Sequence, residues 1–149
     1  MKEPRNFSWV SDDVAGFGFP YSMEEIQFLV EECKIKHIIT MCENAPDVGN
    51  LSDKVTVHHF PLPDNTAAVE VIERAVSVIL KNVNKGEKCG VHCHYGQGRA
   101  GTVLACYLGE IRKLPGETAI KELRKMRENS VSSSSQKRAI IEYLKKYEK

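Results

Sequence analysis

One continuous run constrains the fold more than any other: KCGVHCHYGQGRAGTVLACYL, from Lys88 to Leu108. Its first part, KCGVHC, reads as a buried strand. Its last part, continuing as RAGTVLACYLGEIRK, is apolar nearly all round and reads as a central buried helix. Between them, Gly96, Gly98 and Gly101 allow a tight backbone turn. A strand that passes through a glycine-rich loop into a buried helix places that loop at the carboxyl end of a sheet. Open α/β sheets hold their ligands there.

The other segments extend the same pattern. FSWV and VAGF read as short strands near the start. Ser22 with Glu25 three residues on is a capping box, so a helix runs from Ser22 to about Cys33. KHIITM is a buried β-branched strand, and KVTVHHF alternates as another. Val69, Ile72, Val76, Ile79 and Val83 recur at helical spacing, which predicts a helix from Thr66 to about Asn84. PGETAIKELRKMRE carries Ile120, Leu123 and Met126 on one helical face. SVSSSSQ then reads as a connection, and QKRAIIEYLKKYEK as a last helix. The expected fold class is α/β, a central and largely parallel sheet of about four to five strands flanked by helices. The 149 residues are read as one domain, 1–149.

Charge and cysteine usage narrow the function. A formal net charge of +1 gives no whole-molecule field for nucleic acid or a membrane surface. Lys121, Arg124, Lys125 and Arg127 crowd one segment, but Glu117, Glu122 and Glu128 interleave with them, the pattern of a solvated helix face. No apolar run is long enough to span a bilayer, and MKEPRNFSWV lacks the apolar core of a signal peptide. The chain is therefore expected in the cytoplasm, reaching the nucleus by diffusion. The five cysteines are Cys33, Cys42, Cys89, Cys93 and Cys106; an odd number in a reducing compartment argues against a disulfide framework.

The chemistry of the loop follows from its order of residues. Its glycines let several N–H groups point inward, and the helix beginning near Arg99 adds the positive end of its dipole. Such a nest binds a phosphate-sized oxyanion. Cys93, at the strand end, faces the same nest, which stabilises its thiolate, the nucleophilic form. Arg99 follows six residues later, close enough across a curled loop to grip two oxygens of the anion at once. Asp64, in FPLPDNTA, is the candidate general acid for the leaving oxygen, although Pro63-Asp64-Asn65 also suits a turn and helix cap. Asp47 and Asp53 lie in a polar connection and are weaker candidates.

HCHYGQGR fits the HC-x5-R signature of cysteine-based protein tyrosine phosphatases, and GVHCHYGQGRAGTVLACYL resembles the small atypical dual-specificity members of that superfamily. The resemblance implies a protein tyrosine phosphatase-like fold, a phosphocysteine intermediate, and neither metal nor other cofactor. It implies phosphorylated proteins as partners, bearing phosphotyrosine, phosphoserine or phosphothreonine, with no stable nucleic-acid binding, no membrane contact and a monomeric state. The phosphate-binding loop would be His94, Tyr95, Gly96, Gln97, Gly98 and Arg99. His92 would orient the loop, and Gln136 would position the attacking water. Most relatives carry Ser or Thr after the arginine, donating to the sulfur; Ala100 stands here, as in the phosphatases of regenerating liver. Slow breakdown of the intermediate is the consequence. The same group suggests Cys42 as a reversible disulfide partner of Cys93, against the plainer reading of a small buried hydrophobe.

Other readings stay open at this point. One is an RNA 5′-phosphatase on the same fold, although His94, Tyr95 and Gly98 depart from the HC-T-H-G-x-N-R pattern. Another is a phosphate-binding module that barely turns over. A zinc module of His58, His59, His92, Cys93 and His94 lacks a four-ligand spacing. Tyr21, Tyr95 and Trp9 are candidates for a binding surface, with core packing an equal explanation for Trp9.

Overall fold

The structure is a computed structural model that describes residues 2–149; Met1, part of the expected domain, lies outside the described residues. Strands β1 (Ser8–Trp9), β2 (Val14–Phe17), β3 (Ile35–Thr40), β4 (Thr56–His59) and β5 (Lys88–His92) form one five-stranded sheet in the order β1-β2-β5-β3-β4. The β1–β2 pair is antiparallel and the others are parallel. Phe17 and Thr40 both pair with His92, so β2, β3 and β5 end together at one edge. The residue that follows His92 is Cys93.

Side-chain alternation along the strands divides the core between two faces. Val14, Ile39, Cys89 and Val91 pack under α2 (Val69–Asn84), α3 (Arg99–Arg112), α4 (Gly116–Met126) and α5 (Ser134–Tyr143). Ala15, Phe17, Ile35 and Ile38 pack under α1 (Met23–Gln27) and the π-turn Phe28–Glu32 that continues it. Every residue of α3 from Arg99 to Gly109 is buried, which is why its sequence shows no polar face. Burial of this helix fixes the loop before it relative to the sheet.

Three boundaries differ from the sequence expectations. Helix α2 begins at Val69 rather than Thr66, because Asn65 takes a left-handed backbone (φ 59°) and the Thr66 hydroxyl bonds back to the Pro63 carbonyl at 2.6 Å. Helix α5 begins inside the serine run, not at Gln136. Ser133 is its N-cap, and Ser133 and Gln136 form a reciprocal capping box. Regular helix ends at Tyr143. A 3-10 turn, Lys145–Tyr147, follows and is tied to Glu110 by the Tyr143, Lys146 and Tyr147 side chains.

Candidate active site

The loop from Cys93 to Arg99 is shaped from outside by donors to its carbonyls. The His94 carbonyl accepts from the Phe19 N–H (2.9 Å) and Arg5 Nη2 (3.0 Å). The Tyr95 carbonyl accepts from Asn6 Nδ2 at 3.3 Å, and the Gly96 carbonyl from Asn6 and Arg127. The Gln97 carbonyl takes the Gly101 and Val131 N–H groups, and the Gly98 carbonyl takes the N–H and hydroxyl of Thr102. With each carbonyl held outward, peptide planarity turns the N–H groups of Tyr95 to Arg99 inward. Gly96 makes this possible: its φ is 79°, and a Cβ there would lie 2.6 Å from the Phe17 backbone. The nest expected from the glycine spacing is therefore present.

Cys93 lies at the floor of this nest, 3% exposed, and its Sγ accepts the Ala100 N–H at 3.3 Å. The Thr102 hydroxyl is committed to the Gly98 carbonyl at 2.7 Å and does not reach the sulfur. His92 Nδ1 lies 3.2 Å from the Cys93 carbonyl, which only accepts, so Nδ1 carries the hydrogen. Nε2 is then free to accept from the Thr40 hydroxyl at 2.7 Å. Burial pushes the His92 pKa down to about 4, so the ring is neutral at physiological pH and orients the strand end without transferring protons.

That shift has a consequence for stability. Above the unfolded pKa of about 6.5, both states hold a neutral ring; below it, the unfolded chain takes up a proton that the fold refuses. Stability should fall as pH drops from about 6.5 toward about 4, by about 3 kcal/mol from this group. Urea unfolding of wild type and His92→Gln at pH 7 and pH 4.5 checks this. The expected result is a smaller acid loss in the variant; equal losses would contradict it.

Arg99 is 4% exposed and reaches out of the loop toward two acidic side chains. Its Nη1 donates to Glu43 Oε1 at 2.8 Å and to the Leu62 carbonyl at 2.7 Å. Its Nε lies 3.7 Å from Asp64 Oδ1, too long for a hydrogen bond, and has no partner. Burial works against the guanidinium charge, but Glu43, Cys93 and Asp64 outweigh it and raise its pKa. The same contact holds the Glu43 carboxyl below its ordinary value. Asp64 is exposed on the loop after β4, its Oδ1 accepting the Asn65 N–H at 2.9 Å. That loop is pinned by Arg99 through the Leu62 carbonyl. The Ser133 and Ser135 hydroxyls hold its other side, donating to the Asn65 carbonyl at 2.9 and 3.1 Å. Phe19, Tyr21, Cys42, Glu43, Asn44, Asp64, His94 and Arg99 line the resulting cleft.

Among the described residues, four buried side-chain polar atoms have no hydrogen-bond partner: Arg99 Nε, Arg127 Nε, Ser130 Oγ and Gln136 Nε2. All flank this loop. Arg127 binds the Gly96 carbonyl, Ser130 lies against Gly101, and the Gln136 amide lies against Gly98. Such atoms are rare in a folded protein, and each lacks a partner among the described residues. Gln136 is fully buried; its Oε1 accepts the Ser132 and Ser133 N–H groups, which leaves the unpartnered Nε2 beside the loop.

Sequence reasoning missed three contributors. Glu43 is the acidic residue just beyond β3, at the ligand-binding edge of the sheet, and that position was its only signal. Asn6 and Arg127 gave none. Arg127, expected on a solvated face, is 4% exposed. Helix α4 ends at Met126, and Arg127, with φ −141° and ψ 87°, leaves the helical path and turns inward. It donates to the Asn6, Gly16 and Gly96 carbonyls and to the Ser8 hydroxyl. Burial lowers its pKa to about 10, still charged at neutral pH, which places a second cation beneath the loop.

Cys42 and Cys93 are both buried free thiols; the Cys42 Sγ–H donates to the Asn44 carbonyl at 3.4 Å, and burial raises its pKa. The histidines do not converge. His92 bonds Thr40, His94 Nδ1 pairs with the Tyr21 hydroxyl, His58 pairs with His37, and His59 meets the Cys42 carbonyl. Among the described residues, no group of three or more His, Cys, Asp or Glu side chains is arranged to hold a metal ion. No helix among them is long and apolar enough to cross a membrane.

The chain and its fold have counterparts among known proteins. A family model described as "Swiss Army Knife protein, DSP-PTPase phosphatase domain" matches residues 4–140. The chain is 33% identical over 76 residues to phosphatidylglycerophosphate phosphatase PTPMT1 of Arabidopsis thaliana, covering 51% of this chain and 23% of that protein. It is 34% identical over 77 residues to protein tyrosine phosphatase domain-containing protein 1 of Mus musculus, covering 52% of this chain and 10% of that protein. The chain spans less than half the length of the curated relatives it matches. Among solved structures, Tk-PTP in its active form is similar with a TM-score of 0.83 at 26% identity, covering 94% of this chain and 97% of that one.

Proposed function

The chain belongs to the DSP-PTPase phosphatase domains of the cysteine-based protein tyrosine phosphatase superfamily, and we propose that it hydrolyses phosphotyrosine and phosphoserine or phosphothreonine in proteins through a phosphocysteine intermediate. The observation that carries this reading is the nest itself: a buried thiol beneath inward N–H groups, bounded by the unpartnered Arg99 Nε. Phosphate oxygens would take those donors. Cys93 Sγ then forms a bond to phosphorus as the ester P–O bond breaks, and the Asp64 carboxyl gives its proton to the departing oxygen. In the second step, water attacks phosphorus, Asp64 takes its proton, and the thiolate leaves. Gln136 Nε2, beside Gly98, is the group that would orient that water.

Charge around the cleft supports a singly phosphorylated side chain. None of His94, Tyr95, Gly96, Gln97 and Gly98 is Lys or Arg, and Glu43 and Asp64 flank Arg99. The Glu43 carboxylate at the mouth and the lack of Lys or Arg between His94 and Gly98 disfavour a ligand with several phosphates, including an RNA 5′-triphosphate. The run GVHCHYGQGRAGTVLACYL resembles dual-specificity phosphatase 23, which also supports a protein substrate. The name of the Arabidopsis relative favours a second reading, a phospholipid monoester. Rates on phosphotyrosine and phosphothreonine peptides, on vesicles containing phosphatidylglycerophosphate, and on 5′-triphosphorylated RNA separate them. The expected result is a preference for peptides; faster lipid or RNA hydrolysis would overturn the protein reading.

Ala100 sets the pace of the second step. The departing sulfur is met by one backbone N–H, and Thr102 is engaged elsewhere. A missing hydrogen bond to a charged group is worth about 1.5–3 kcal/mol, or about ten- to a hundredfold in rate. Ala100→Ser should raise steady-state turnover of an aryl phosphate by about that factor. Unchanged hydrolysis in the variant would show that loss of the thiolate does not limit the cycle.

A further inference from the structure

We propose that Arg5, at the rim of the phosphate cleft, is a recognition site for a carboxylate side chain close to the phosphorylated residue of a peptide substrate. This rests on the protein-phosphatase reading above. The guanidinium Cζ lies 4.8 Å from the Tyr95 ring centroid and 5.9 Å from that of Tyr21. Both rings are exposed, at 54% and 65%, and Tyr21 is joined to His94 through its hydroxyl at 3.1 Å. Tyr21 and His94 also line the cleft that holds Arg99, so Arg5 stands immediately beside its mouth. One of its N–H groups is used on the His94 carbonyl at 3.0 Å. Its remaining donors form an edge that the two rings hold in place, in the geometry that suits a carboxylate.

The charges around Arg5 give the site a direction. Among the described residues, Arg5 forms no ion pair, whereas Arg99 has both Glu43 and Asp64 within 4.0 Å. The nearby Glu25 is occupied by the capping box, accepting from the Ser22 N–H and hydroxyl. One side of the cleft therefore carries Glu43 and Asp64, and on the other Arg5 stands among Lys2, Glu3 and Glu25 without an ion pair to either carboxylate. A peptide acidic next to its phosphorylated residue is repelled from the first side and attracted to the second. In an extended peptide, same-face side chains two residues apart are separated by about 7 Å. Such spacing lets a side chain near the phosphoresidue meet a rim group while the phosphate stays in the nest. Stacked, exposed tyrosines beside the guanidinium suit a peptide partner.

The test is a set of phosphotyrosine peptides carrying a single Glu, or Gln in its place, at each position from two before to two after the phosphoresidue. The readout is the Glu-to-Gln ratio of kcat/KM, which normalises for any effect of Arg5 on the loop. Wild type should favour Glu about three- to tenfold at one or two positions at low salt, with the preference shrinking as ionic strength rises. Arg5→Ala should bring the ratio to one, Arg5→Lys should keep part of it, and Arg5→Glu should invert it. Peptides hydrolysed with ratios near one throughout, or an unchanged preference in Arg5→Ala, would overturn the assignment while leaving the protein-phosphatase reading intact. Hydrolysis of phosphatidylglycerophosphate vesicles without any peptide turnover would overturn both.

Discussion

Replacing Cys93 by serine is expected to lower turnover of an aryl phosphate by at least about 10³-fold while leaving the fold and anion binding in place. The sulfur is the only strong nucleophile in the nest, and its surroundings are arranged for an anion: the Ala100 N–H at 3.3 Å, the inward loop N–H groups and the buried Arg127 guanidinium. A serine hydroxyl needs a base to give up its proton, and the neighbouring His92 does not serve. Both His92 nitrogens are engaged, Nδ1 with the Cys93 carbonyl and Nε2 with the Thr40 hydroxyl, and its pKa near 4 leaves the ring a weak base. The check is initial rates beside the circular dichroism spectrum and the binding of a non-hydrolysable phosphotyrosine mimic. A folded Cys93→Ser protein that keeps a tenth of the activity would remove Cys93 as nucleophile.

Asp64→Asn should cost about 10²–10⁴-fold in kcat/KM, which reads the first chemical step, for a poor leaving group such as phenol, and much less for a good one. General acid help matters in proportion to the basicity of the departing oxygen, so dependence on the leaving group is the diagnostic quantity. Asp64 is exposed and bonds only its neighbour's N–H, but its loop is fastened on both sides, by Arg99 at Leu62 and by Ser133 and Ser135 at Asn65. Losses in kcat/KM equal for all leaving groups would show that Asp64 supports the loop without donating a proton.

The parts of the site that were legible in the sequence are those that lie within one short stretch. Cys93, the glycines and Arg99 are a strand end, a turn and a helix start, and their spacing alone forces them together. The sheet was legible for a similar reason, since β-branched runs such as IKHIIT announce buried strands. What remained hidden depends on contacts between distant segments. Glu43 meets Arg99 across 56 positions, and Asn6 meets Gly96 across 90. Arg127 shows the difficulty best. It sits in a run of alternating charges that predicts solvent, and only the end of α4 one residue earlier turns it toward the loop. The serine run misled in the other direction: it looked like a linker, yet Ser133 caps α5 and fastens the loop of Asp64.

In the proposed cycle, Cys93 takes the phosphoryl group quickly and releases it slowly because Ala100 offers no hydroxyl. Rapid mixing with an aryl phosphate, acid quenching and mass analysis of the Cys93 peptide test it directly. The expected result is a burst of phenol close to one equivalent per enzyme, followed by slow turnover, with a phosphoryl group on Cys93 throughout the slow phase. Linear release of phenol from the first turnover, with no phosphorylated Cys93 at any time, would contradict it.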